Sequence, residues 1–260
     1  MADLEYRVSD GVGTILLNRP DRKNAFTLEM IDQWAEAIVS ARTDPEVRAL
    51  VLTGAGDAFC SGVDLDDFTA EDKAVLDHKT VLTERVHKVA LALEDMDKPV
   101  IAAVNGVAVG AGMDMALMCD IRFVSESARF SEGYVRVGLV PGDGGCYFLP
   151  RLVGTAKALE LLWTGDFVDA RTAVELGIAS TCYSDAELLE QTYAFARRLA
   201  EGPPVAIRAI KRAVYQSARC DLRTSLDLIS SHQAVVQSTD DSAEALRAFR
   251  EKRRPTFRGR

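Results

Sequence analysis

The sequence predicts an α/β fold that gives way to a helical C-terminal region. Short apolar runs alternate with helix-periodic segments over the first two thirds of the 260 residues, the signature of an α/β core. From Ala156 onward, helical periodicity takes over. The composition, 48% hydrophobic and 27% charged, is that of a globular chain able to bury one large core or a core plus a small appendage.

Taken in order, Leu4 to Val8 and Val12 to Leu17 alternate around Ser9-Asp10-Gly11 and read as a hairpin. The irregular segment NRPDRKNAF follows, and then Thr27 caps a helix whose apolar side includes Leu28, Ile31, Trp34 and Ile38. Val47 to Thr53 reads as a buried strand that feeds a loop at Gly54-Ala55-Gly56. Leu76 to Leu93 has helical spacing that ends before Lys98-Pro99. Next come a strand, Val100 to Val104, a turn at Asn105-Gly106, and after Gly110 a helix reaching about Met118. Ile121 to Val124 and Ala128 to Ser131 are further short strands. Ala170 to Leu176, Ala186 to Glu201, Val205 to Ala218, Leu222 to Val236 and Ala243 to Lys252 carry helical periodicity, punctuated by Gly202-Pro203-Pro204. No sequence repeat recurs at a fixed period.

Several function classes are disfavoured at this level. With 31 basic against 39 acidic side chains the formal charge is −8, so a broad basic surface for nucleic acid is not expected. The start MADLEYRVSDGVGT has no basic n-region followed by an apolar run, so the expected location is the cytoplasm. VIAAVNGVAVGAGMDMALMC is long enough to cross a bilayer, but Asn105, its glycines and Asp114 interrupt it. A central Asp alone costs about 2.5–3.5 kcal/mol on insertion scales, so no membrane helix is expected. Cys60, Cys119, Cys146, Cys182 and Cys220 are odd in number and far apart, which fits free thiols in a reducing compartment and no metal site. His78, His87 and His232 fall on predicted helices with no nucleophile nearby and read as structural.

Gly106, Gly110 and Gly112 form neither a dinucleotide fingerprint nor a phosphate loop. Placed after a strand and opening a helix, Gly110-Ala111-Gly112 lets a ligand approach the first-turn N–H groups, which favour developing negative charge. The same small residues would also serve close helix packing, and first-turn positions favour Asp in any case. GAGDAFCSGVDLDDF, residues 54–68, is a second glycine-rich loop after a buried strand and could supply a second N–H. By itself it reads equally as a solvated acidic loop.

The blocks NRPDRKNAF, AFCSGVDL, KPVIAAVNGVAVGAGMDMALMCDIRF, ARFSEGYVRVGLVPGDGG, LPRLVG, WTGDFVDARTAVELGIAS and AFREKRRPTF occur in that order. In these blocks the chain resembles the enoyl-CoA hydratase/isomerase (crotonase) superfamily over essentially its whole length. The resemblance implies an α/β, crotonase-like spiral of ββα units over residues 1–200. Residues 201–260 would form a helical region for trimerisation and CoA contact. It further implies a trimer or hexamer that binds an acyl-CoA thioester, with no separate cofactor because CoA arrives with the substrate. Two backbone donors would hold the thioester oxygen, at Ser61 and Ala111. The CoA contacts would be Arg22 and Lys23 near the phosphates, and Ala58, Gly62, Val63, Asp64 and Leu65 along the adenine and pantetheine path. Lys252 and Phe257 would add contacts from the C-terminus.

Family hydratases use two glutamates, and this sequence departs from that pattern at both. The first falls on Asp114 and the second on Tyr134, whose phenol, with an ordinary pKa of about 10, is no ready base at neutral pH. Three alternatives follow. Glu132, two residues before Tyr134 on an extended segment, could share its face, or Asp143, opening the next helix, could reach in from another wall. Otherwise Asp114 shuttles a proton between carbons unaided, while Tyr134 orients the acyl group or a water. A carboxylate in an apolar pocket is where proton transfer to carbon would be placed, with its pKa raised by desolvation. The leading expectation is a hydratase-like lyase, with double-bond isomerisation as the alternative. Another thioester reaction, such as hydrolysis or ring or C–C cleavage, and a silent acyl-CoA-binding protein are the rivals. The acyl group is expected to be set by the segment Asp66 to Lys79 and the C-terminal helices.

Overall fold

In the computed structural model, which describes residues 2–68 and 74–260, the chain winds back and forth between two sheets. A hairpin of β1 (Leu4–Ser9) and β2 (Val12–Leu17), with Leu4 opposite Leu17, opens the larger sheet. Helix α1 (Leu28–Thr43) follows, its first turn held by the Thr27 side chain accepting from the Met30 N–H. Ile31, Trp34 and Ile38 on its apolar side are fully buried. Strands β3 (Ala49–Gly54) and β4 (Ala58–Cys60) lead to the short α2 (Leu65–Phe68). The helical run expected from Leu76 to Leu93 is α3 (Val75–Val81) and α4 (His87–Glu94), joined by a π-helical turn at Leu82–Val86.

The stretch that could have been a membrane span folds as β5 (Val100–Val104), a turn, β6 (Val107–Val109) and α5 (Ala111–Leu117). Among the described residues no helix is long and apolar enough to cross a membrane. Strands β7 (Ile121–Ser125) and β8 (Arg129–Ser131) come next, then a 3-10 turn at Gly133–Val137, α6 (Gly145–Val153) and α7 (Thr155–Thr164).

The C-terminal third is not purely helical, which corrects the sequence expectation. Strand β9 (Val168–Asp169) pairs antiparallel with β8, and after α8 (Ala170–Glu175), β10 (Thr181–Tyr183) adds to β7 in parallel. At two and three residues, both are too short to show a period of two. Helices α9 (Leu188–Ala200), α10 (Pro204–Ser217), α11 (Leu222–Gln237) and α12 (Asp240–Glu251) complete the chain.

The six-stranded sheet has the order β1-β2-β3-β5-β7-β10 and the four-stranded sheet the order β4-β6-β8-β9. Each of the pairs β3/β4, β5/β6 and β7/β8 therefore sends one strand to each sheet, the ββα spiral implied by the resemblance. Strands β3 and β5 are apolar on both faces because both faces are covered. Leu50, Leu52, Val100, Ala102 and Val104 enter the core shared with α1 and α5, whereas Val51, Ile101 and Ala103 pack on α9. Helix α10 is fastened to the N-terminal end of β5. Arg208 and Arg212 meet Asp97 at 2.6 and 2.8 Å, and Lys211 meets Asp120 at 2.8 Å. The C-terminal ends of the parallel strands remain for the loops that carry the chemistry.

Candidate active site

Two chain segments converge beyond the ends of β4 and β6. Gly112 sits directly on the Cys60 carbonyl, where any side chain would collide with backbone, so the first turn of α5 lies against the end of β4. Gly62, at φ +99°, continues this contact: a Cβ there would lie 3.0 Å from the Val109 carbonyl oxygen and 3.6 Å from the Ala111 nitrogen. The Ala111 N–H opens α5 and has no acceptor among the described residues.

The other expected donor needs correcting. The Ser61 N–H donates to the Lys23 carbonyl at 3.0 Å and is not available to a ligand. Around Val63 the chain pairs with Phe26: the Phe26 N–H donates to Gly62 at 2.9 Å and the Asp64 N–H donates to Phe26 at 2.8 Å. Strand alternation then turns the Val63 N–H to the opposite side, and it too has no acceptor among the described residues. The signal that could have found it is this single bridge, which joins positions 37 residues apart and leaves no periodicity in the sequence.

One turn into α5, Asp114 is wholly buried. Its Oδ2 accepts from the Tyr134 hydroxyl at 2.8 Å, and the same hydroxyl lies 2.6 Å from Asp143 Oδ2. Gly145, at the start of α6, abuts Asp114 Oδ1, and a Cβ on it would lie 2.9 Å from each Glu132 carboxyl oxygen. The backbone thus gathers Asp114, Glu132, Tyr134 and Asp143, all expected from sequence, around one glycine. Two reasons for expecting them change. Glu132 precedes a 3-10 turn, so no extended segment carries it to the face of Tyr134, and it is buried rather than a surface strand residue. Asp143 does not cap α6, since Gly144 holds that place.

Burial sets the electrostatics. Desolvation, with the Asp143 charge second, pushes the Asp114 carboxyl up to about 7, partly offset by the Tyr134 and Glu132 hydrogen bonds and the Gly145 amide. Glu132 is raised further, by desolvation and then by the charge of Asp114. As two carboxylates, Asp114 Oδ1 and both Glu132 oxygens find no donor. A proton kept on Glu132 and offered to Asp114 satisfies the pair. Asp143 is raised by burial and partly relieved by Tyr134 and His87. The Tyr134 phenol, raised well above its ordinary value by burial and both aspartates, stays neutral. His87, expected to be structural, places its ring Nε2 2.8 Å from the Gly142 carbonyl oxygen, next to Asp143.

The residues expected along CoA are dispersed. Arg22 and Lys23 are exposed beside the second loop, near Asp66 at 3.5 Å and Asp57 at 2.5 Å respectively. Gly62 and Val63 line the convergence, and Leu65 is exposed beyond it. Ala58 is buried in β4, its carbonyl accepting from Asn24 and Asn105. Asp64 is buried against Arg19 at 2.8 Å, which holds its carboxyl below the usual range and fixes the loop.

Within one chain, Lys252 and Phe257 lie apart from the four clustered side chains. The Phe257 carbonyl accepts from Arg48 at 3.3 Å, before β3 begins, and Lys252 ends α12 with its side chain in solvent. Of the segment expected to set the acyl group, residues 69–73 lie outside the described residues. Leu82, just past that segment, packs against Gly142. A cavity of about 600 Å³ lies behind the C-terminal end of α5, beside Met118, Phe148, Lys211 and Arg219. None of the four clustered side chains lines it, and Lys211 and Arg219 are paired with Asp120 and Glu94.

Residues 7–260 match the enoyl-CoA hydratase/isomerase family model. A probable enoyl-CoA hydratase of Rhodobacter capsulatus is 37% identical over 99% of this chain and 98% of its own. The 1,2-epoxyphenylacetyl-CoA isomerase of Escherichia coli K12 is also 37% identical, over 97% of both chains. The crystal structure of an enoyl-CoA hydratase from Bacillus anthracis superposes with a TM-score of 0.95 at 30% identity, covering 100% of each chain.

Proposed function

The chain belongs to the enoyl-CoA hydratase/isomerase family, and on that premise we propose that it isomerises an acyl-CoA thioester by moving a proton between carbons, with Asp114 as acid and base. The thioester oxygen accepts from the N–H groups of Ala111 and of Val63, which takes the part expected of Ser61. When Asp114 removes a proton beside the thioester, the resulting enolate oxygen gains charge, and each preorganised donor is worth about 3–4 kcal/mol there. The apolar setting suits the task, because a base whose pKa lies near the working pH is both available and strong. Arg22 and Lys23, exposed on the rim, offer charge to the CoA phosphates.

One observation carries the choice of isomerisation: the Tyr134 hydroxyl is held between Asp114 and Asp143. Hydration needs a second group that takes a proton from water while the first protonates carbon, and a neutral phenol tied to two carboxyls does not do this. Double-bond migration needs one base alone. The isomerase of Escherichia coli among the relatives is consistent with this reading. Hydration is the second reading, favoured by Glu132, a second carboxyl beside Asp114.

Purified protein incubated with a 3-enoyl-CoA and, separately, a 2-enoyl-CoA tests both. Isomerisation yields a product of unchanged mass with the double bond moved, and hydration yields one heavier by a water. Asp114→Asn is expected to lower turnover by about 10²–10⁴-fold. Turnover indifferent to that change would remove Asp114 from the reaction.

A further inference from the structure

A phenol has one proton to give, yet the Tyr134 oxygen stands 2.8 Å from one carboxyl oxygen and 2.6 Å from another. Were both aspartates ionised, one contact would set a phenol lone pair against an anion in a buried site. At these distances the second contact is made by a proton belonging to a carboxyl. In the form in which Asp114 is the ionised base, that proton sits on Asp143 and Asp114 accepts from Tyr134.

Asp114 has no access of its own to solvent. Its polar neighbours are Tyr134, Glu132 and the Gly145 amide. The Glu132 side is the more enclosed, the residue being 1% exposed and both carboxyl oxygens meeting no other partner among the described residues. Asp143, 6% exposed against 1% for Glu132, lies on the outer side beside the half-buried His87, whose ring meets the Gly142 carbonyl, although its own Oδ1 is buried without a partner among the described residues. Among the described residues, the hydrogen-bonded path from Asp114 to the more exposed Asp143 therefore runs through the Tyr134 hydroxyl.

We propose that Tyr134 is a proton bridge between Asp114 and Asp143, through which the proton that Asp114 takes from the acyl chain exchanges with solvent before a proton is returned. The steps balance without any change of oxidation state. Asp114 carboxylate takes a proton from carbon and becomes the acid. Asp143 releases its own proton to water and becomes the carboxylate. The Tyr134 O–H then passes to Asp143 as the Asp114 O–H passes to the Tyr134 oxygen, so the phenol is neutral before and after. Run in reverse, the same path loads Asp114 with a proton from solvent, which goes to the new carbon. Tyr134 acts through Asp114 and is a positioning and relay residue. The inference rests on the isomerase reading.

The test is deuterium content per molecule of product when the full chain turns over a 3-enoyl-CoA in heavy water, with exchange beside the thioester of the recovered substrate read in parallel. The wild type is expected to yield product carrying solvent deuterium. Tyr134→Phe and Asp143→Asn are each expected to lower that content at least threefold. Thermal melts of each variant separate a loss of fold from a loss of exchange, and the content is a ratio that a merely slower enzyme keeps. Wild-type product without deuterium, or content unaltered in both Tyr134→Phe and Asp143→Asn, would overturn the bridge while leaving isomerisation standing. A product heavier by one water would overturn isomerisation, and exchange into recovered substrate would then still decide the bridge. Neither turnover nor exchange in the wild type removes both.

Discussion

A carboxyl that lacks solvent and faces other acids holds its proton to unusual pH, and this sets how Asp114 should act. A base must be ionised, so activity is lost as pH falls through its folded pKa. The rate against pH is expected to drop with a midpoint near 7, where burial and the Asp143 charge hold Asp114, and a midpoint at about 4, the ordinary carboxylate value, would contradict the site. Glu132 carries a second consequence, for stability. Its pKa is raised on folding, so between the ordinary value and the folded one the native state binds more protons than the unfolded state, and stability falls as pH rises. Glu132→Gln removes that dependence. Its melting temperature relative to wild type is expected to climb from pH 5 to pH 9, by on the order of 2 kcal/mol in stability, and equal differences at both ends would refute the assignment. Asp114 was legible because a lone acid in an apolar stretch is conspicuous, and Tyr134 because it departs from the family pattern. Their shared hydrogen bonds were not legible, since they depend on a 3-10 turn that no periodicity announces. Ser61 was expected from the resemblance, and the residue types do not reveal that the Lys23 carbonyl consumes its amide.

Strands that are buried on both faces announce themselves, as β3 and β5 do through unbroken apolar runs. Strands β4, β6, β8 and β9 have two or three residues each, and only β8 was expected as a strand. They nevertheless make the second sheet, and β4 with β6 sets α5 against the loop around Gly62. The donor role proposed for Ala111 depends on this packing and can be tested without touching a side chain. Proline is tolerated at the first position of a helix, where its missing N–H would have no intrahelical partner, and Gly110 before it has no Cβ to clash. Ala111→Pro is therefore expected to fold with a melting temperature near that of wild type while kcat falls about 10²–10³-fold, the usual effect of losing one such donor. Retained kcat in a folded Ala111→Pro protein would show that this amide holds no developing charge. Gly112→Ala offers the contrast, because its Cβ would meet the Cys60 carbonyl and force α5 from β4. Both stability and turnover should fall in that variant.

For the molecule as a whole, three strand pairs repeat one path at unequal spacing, beginning at Ala49, Val100 and Ile121, so the structural repeat leaves no fixed period in the sequence. The C-terminal helices were legible from their amphipathic spacing, but not what covers them. On α10, α11 and α12, Ile210, Val214, Leu222, Leu226, Leu246 and Phe249 remain exposed, Phe249 at 84%. So much apolar surface on consecutive helices is characteristic of an interface. The tail gives the second half of the argument. Arg48 holds the Phe257 carbonyl where β3 begins, a strand's length, roughly 20 Å, from the turn at Gly54 that leads to the site. Within one chain Phe257 is held away from the carboxyl cluster, whereas in a closed ring of copies a neighbour's tail could approach it. The 28.3 kDa chain is therefore expected to run as a trimer or hexamer in light scattering. A Leu246→Asp, Phe249→Asp double variant should shift toward the monomer with its far-ultraviolet spectrum preserved. If neighbouring tails complete the CoA site, KM for the thioester should rise at least tenfold in the dissociated variant, with kcat changing less because Asp114 and both amides lie within one chain. A monomeric wild type, or a dissociated variant with KM unchanged, would return Lys252 and Phe257 to a purely structural part.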